Sequence, residues 1–189
     1  MSNMASTSIQ SEHVQLADLR RQFNACSADA EKLIASISEN KVNLRAKDDA
    51  WSIAECVAHL TATTALYLPI MSSALAGAPA GDGPYKMDFR GRMLKWILEP
   101  PYRTKAKTLP SLEPRLNDAR RVLPDFLASQ QEFLNAMQLW NGRALDKVFI
   151  TSLFNKRLRY NMYSLFNVVA AHQRRHLWQA QRAKDALRG

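Results

Sequence analysis

Ala171-His172-Gln173-Arg174-Arg175-His176-Leu177-Trp178-Gln179 decides how the rest of the chain is to be read. The stretch lies inside a run from Met162 to Leu187 that no glycine or proline interrupts. Within that run Leu165, Val168, Val169, His172, His176, Ala180 and Ala183 recur at three and four residues, the period of one helical face. The spacing predicts a long final helix, and it places two histidines on the face expected to look inward.

Working back towards the N-terminus, Asn141 and Gly142 mark the end of another helix. This one starts near Arg120 to Pro124, with the proline tolerated in the first turn, and carries Phe126, Leu127, Phe133, Leu134 and Met137. The stretch from Arg143 to Tyr160 reads as less regular. Before it, Pro100, Pro101, Pro110 and Pro114 break the chain into extended or irregular pieces, with a short helix expected at Phe89 to Leu98. Further back, Ser52 and Glu55 stand three apart as in a capping box and open an apolar run through Ile53, Val57, Leu60, Leu66, Met71 and Leu75 that stops at Gly77. A first helix is expected from His13 to Ser38, with Leu16, Leu19, Phe23, Cys26, Ala30, Leu33 and Ile34 as its buried stripe. Four long helices and no convincing strand alternation predict an all-α fold, a four-helix bundle with a long crossover, about residues 77–115, between the second and third. Residues 1–12 are expected to form a disordered tail and residues 13–189 a single domain.

Two histidines at i and i+4 can bring both imidazoles to one ion. His172 and His176 have that spacing, although histidines at such positions are also ordinary half-buried residues. Two polar rings on an inward face need partners. His59 lies beside the inward stripe of the second helix and supplies the third candidate, its alternative being a core histidine bonded to a neighbour. Gln173 stands where a zinc protease would carry its general-base glutamate, so protease chemistry is disfavoured. Three neutral imidazoles with an open coordination position suit nickel or zinc better than calcium or magnesium.

Two of these stretches resemble the DinB superfamily, metal-binding four-helix bundles that include YfiT-like metal-dependent hydrolases and bacterial thiol S-transferases. Trp51-Ser52-Ile53-Ala54-Glu55-Cys56-Val57-Ala58-His59-Leu60 is similar to the family's entry into its second helix, with the first histidine ligand. Ala171 to Gln179 is similar to its closing His-x-x-x-His helix. The resemblance spans nearly the whole chain. It implies one divalent transition metal on His59, His172 and His176, but not a substrate.

Around the triad, Glu55 is a candidate to orient a ligand, though the capping box also accounts for it. Cys56 is a candidate soft ligand and equally a core residue. Arg175 is a candidate anion contact or part of a solvated face, and Gln179 a cavity-lining amide or a surface one. Trp51, Trp96, Trp140 and Trp178 are assigned no role. The leading expectation is a metal-dependent enzyme that activates water or a thiol for hydrolysis or S-transfer on a small molecule, with a low-molecular-weight thiol as a partner. The alternative is a non-catalytic metal-containing or ligand-binding bundle.

Lys and Arg outnumber Asp and Glu by 26 to 17, a formal charge of +9, yet they are scattered rather than massed, which makes nucleic-acid binding the weakest reading. Two cysteines without metal-finger spacing and a start that does not read as a secretory signal suggest a reduced, cytoplasmic protein. No run is expected to span a bilayer, no membrane partner is expected, and spare apolar faces allow a homodimer.

Overall fold

The computed structural model describes residues 12–101, 113 and 118–187. The expected tail lies outside these residues except for Glu12, as does most of the stretch from Pro101 to Arg115. Helix α1 (Val14–Ala35) opens at His13, whose Nδ1 accepts from the Gln15 amide at 3.2 Å. Its buried stripe is Leu16, Leu19, Phe23, Cys26, Ala30 and Leu33. It ends three residues short of the expected Ser38, where Ser36 caps it and donates its hydroxyl to the Leu33 carbonyl at 2.7 Å. The chain then makes the one-turn helix α2 (Glu39–Val42), which buries Val42. Four residues are too few to show a period in sequence.

Helix α3 (Ile53–Leu75) begins with the anticipated capping box: Ser52 Oγ accepts from the Glu55 amide at 3.1 Å, and Glu55 Oε2 from the Ser52 amide at 2.8 Å. By length and composition α3 is apolar enough to cross a membrane, which corrects the expectation that no run is. Over half of its most apolar stretch is buried inside the fold. Helix α4 (Phe89–Leu98) is short, as expected, and is capped by Asp88, which accepts from the Gly91 amide at 3.1 Å. A 3-10 turn at Ala119–Arg121 leads into α5 (Val122–Gln138), and Gly142, at φ 76°, turns the chain beyond its end.

The segment read as irregular contains a small antiparallel hairpin, β1 (Phe149–Thr151) with β2 (Arg159–Asn161), in which Ile150 faces Tyr160. Three-residue strands are too short for alternation to register. Helix α6 (Met162–Ala186) follows at once, with Asn161 Oδ1 accepting from the Ser164 amide at 2.8 Å. Among the described residues the architecture is thus six α-helices and one two-stranded sheet, all-α in class.

Helices α1 and α3 each pack on both α5 and α6, and α4 packs on α6. Having α1, α3 and α4 as neighbours, α6 is buried on more than one face: every residue from Ser164 to Gln173 is buried. The apolar core falls into two clusters. One gathers Phe23, Phe133, Phe166, Trp140 and Tyr67; the other gathers Cys26, Ala30, Ile53, Val57, Leu60, Phe126 and Leu177. Two buried amides, Gln130 of α5 and Gln173 of α6, bond each other reciprocally at 3.0 and 2.6 Å, and Gln130 also donates to the Phe23 carbonyl of α1 at 3.2 Å. Because a buried amide is costly unless paired, this contact ties three helices to one register.

Candidate metal centre

Two turns into α3, His59 is 1% exposed; on α6, His172 and His176 are 7% and 8% exposed. Side chains at i and i+4 share a face of α6, and the packing of α3 against α6 turns that face towards His59. One nitrogen from each of the three rings lies within 4.8 Å of the other two. The His59 and His172 Nε2 atoms are 3.3 Å apart. Two imidazole nitrogens held tetrahedrally by one zinc-sized ion lie about 3.4 Å apart, so this spacing is already close to a coordination edge.

The electrostatics favour neutral rings. Burial, followed by the charges of His59 and Arg175, pushes the His172 pKa down from 6.5 to about 3. Burial also holds His176 well below the usual histidine range, with His172, His59 and Arg175 acting in the same direction and Gln179 opposing them. Neutral imidazoles offer lone pairs, as metal ligation requires. Among the described residues His176 Nδ1 is buried without a hydrogen-bond partner, a condition that proteins rarely tolerate and that a bound cation would relieve. The donor set and this orphaned nitrogen fit a borderline transition ion.

Aromatic rings flank the cluster. Trp51, just before the Ser52 cap of α3, stacks on His176 with ring centres 5.6 Å apart and a 20° interplanar angle, and lies 5.0 Å from His59. Phe154, in the loop between β1 and β2, is centred 6.1 Å from His172. The Thr63 hydroxyl donates to the His59 carbonyl at 2.7 Å and lies 3.4 Å from His59 Nε2. The sequence reading gave none of these three a role. Thr63 had a signal, its i+4 spacing from His59; Trp51 had its place beside the cap; Phe154 had none.

The remaining candidates are not members of the three-histidine group, although Gln179 and Arg175 both act on His176. Besides accepting from the Ser52 amide, Glu55 takes three bonds from Arg45, two from Nε at 2.9 and 3.2 Å and one from Nη2. Burial alone would raise the Glu55 carboxyl pKa; the Arg45 and Ser52 hydrogen bonds outweigh it and hold the group below the ordinary glutamate value. Cys56 is a core residue of the second cluster, and burial pushes its thiol far up. Arg175 is 6% exposed, which corrects the solvated-face alternative: α4 covers that flank of α6, and Arg175 donates to the Ile97 carbonyl at 3.1 Å. Gln179 is half-buried beside His176.

An all-α protein whose two longest helices converge on a buried set of three imidazoles belongs to the class of helical proteins fit to hold a divalent ion. The chain belongs to the DinB superfamily, whose family model matches residues 22–180 and so includes all three histidines. Comparison with curated proteins and with solved structures finds no match.

Proposed function

We propose that this chain is a cytoplasmic metal-dependent enzyme. In this reading α1, α3, α5 and α6 form a four-helix bundle, and His59, His172 and His176 hold one divalent transition ion, nickel or zinc. The observation that carries it is the meeting of three buried imidazoles, two of them held neutral by burial and one with an unsatisfied nitrogen. When bound, such an ion supplies Lewis acidity towards water or a thiol at neutral pH, which suits hydrolysis or S-transfer on a small molecule. The chain's own groups prepare the site. Trp51 and Phe154 flank the histidines with aromatic surface, Arg175 adds positive potential, and Arg45 keeps Glu55 occupied so that it is not a free base.

A second reading, a non-catalytic metal-containing protein, is favoured by the depth of the histidines, none more than 8% exposed. Elemental analysis of freshly purified wild type and His59→Ala tests the metal; assays with esters and amides, and with electrophiles plus low-molecular-weight thiols, test the chemistry. The expected outcome is a stoichiometric transition ion lost in His59→Ala, together with turnover by the wild type in one of the assays. Metal without turnover would favour the second reading, and a metal content unaffected by the substitution would defeat both.

A further inference from the structure

Helix α4 is fastened firmly on one side and left apolar on the other. Inside, Asp88 accepts from the Asn161 amide and the Ser164 hydroxyl, both at 2.8 Å; Gly91 lies against Ser164, Arg175 holds the Ile97 carbonyl, and Glu99 pairs with Arg174 at 2.8 Å. Outside, Phe89, Met93 and Trp96 stand at i, i+4 and i+7 and are 71%, 40% and 60% exposed. Lys86, Arg90 and Arg92 are exposed around them. The two acids of this stretch, Asp88 and Glu99, are engaged inward. The outer face is therefore aromatic and apolar in the middle and cationic at its margins.

We propose that α4 is an interfacial helix that seats the protein on an anionic lipid bilayer, with Phe89, Met93 and Trp96 entering the headgroup boundary and Lys86, Arg90 and Arg92 meeting acidic headgroups. Charge selects this occupant. A second copy seated face to face would crowd two sets of arginines into one interface, whereas an acidic membrane surface complements both the apolar centre and its cationic rim. The contact lies on the surface of the protein and involves no spanning segment. It is independent of the metal reading.

The test is co-sedimentation of the full chain with vesicles of phosphatidylcholine alone and of phosphatidylcholine mixed with phosphatidylglycerol, at low and high salt. Wild type is expected to pellet with the anionic vesicles only, and less at high salt. The double substitution Phe89→Ser with Met93→Ser should weaken binding by more than about tenfold, because each apolar side chain withdrawn from the boundary removes a burial contribution. Arg90→Glu with Arg92→Glu, which leaves the apolar stripe intact, should do the same, and circular dichroism confirms that each variant is folded. Failure of wild type to bind anionic vesicles overturns the proposal, as does equal binding to both vesicle types or binding unaffected in folded variants. So does a soluble dimer that Phe89→Ser with Met93→Ser dissociates, in the absence of vesicle binding.

Discussion

His172 and His176 are neutral in the fold for the same reason that they are good ligands: water is excluded from both. The sign of the resulting pH dependence follows from their lowered pKa values. Below about pH 6.5 the unfolded chain takes up protons at these rings while the folded chain does not, so stability is fully present above that pH and declines as pH falls towards the folded values, about 3 for His172 and likewise far below the usual range for His176. Metal-free protein should lose about 1.4 kcal/mol per pH unit for each such histidine between about pH 6 and about pH 5. Glu55 and Asp88, held below ordinary carboxylate values, add their own losses only at lower pH. Denaturant titrations across that interval check this, and a flat profile would contradict the neutral-ring account. At this scale the histidines were legible because a one-turn spacing on an apolar face is a local pattern. Arg175 was not legible, since its burial depends on α4, which is 78 positions away at the Ile97 contact.

Helix α4 depends on closeness to α6 at one point. A Cβ at Gly91 would lie 2.2 Å from Ser164 Cβ and Oγ, and Ser164 is also the hydroxyl donor to Asp88. Gly91→Ala should therefore displace α4 and disturb its cap, costing about 1–3 kcal/mol despite alanine's better helix propensity. Gly77→Ala is the control, because among the described residues its Cβ would meet nothing within 4 Å. Equal stability of the two variants in chemical denaturation would refute the close-packing account. The long helices could be read from sequence because fifteen or more residues repeat the period several times. The one-turn α2 and the hairpin could not, because their stability comes from what they pack against and leaves little local pattern.

Over the whole molecule, an ion that binds the folded chain and not the unfolded one adds stability by mass action, about 2.7 kcal/mol at a free concentration about a hundredfold above its dissociation constant. For a chain of this size each kcal/mol moves Tm by roughly 2–4 °C. Zinc or nickel should accordingly raise Tm by roughly 5–10 °C, a chelator should reverse the gain, and His59→Ala should show neither effect in the same melts. An unchanged wild-type Tm would argue against the site. The all-α class was legible from the apolar patterns, but the division of the core into two clusters and the Gln130–Gln173 contact were not, because pairing between residues 43 positions apart leaves no periodic trace. His59 and His172 are separated by 113 positions, whereas His172 and His176 are one turn apart. An occupied site would thus rivet two distant stretches of chain reversibly, and the local metal supply would govern how often α6 breathes away from α3.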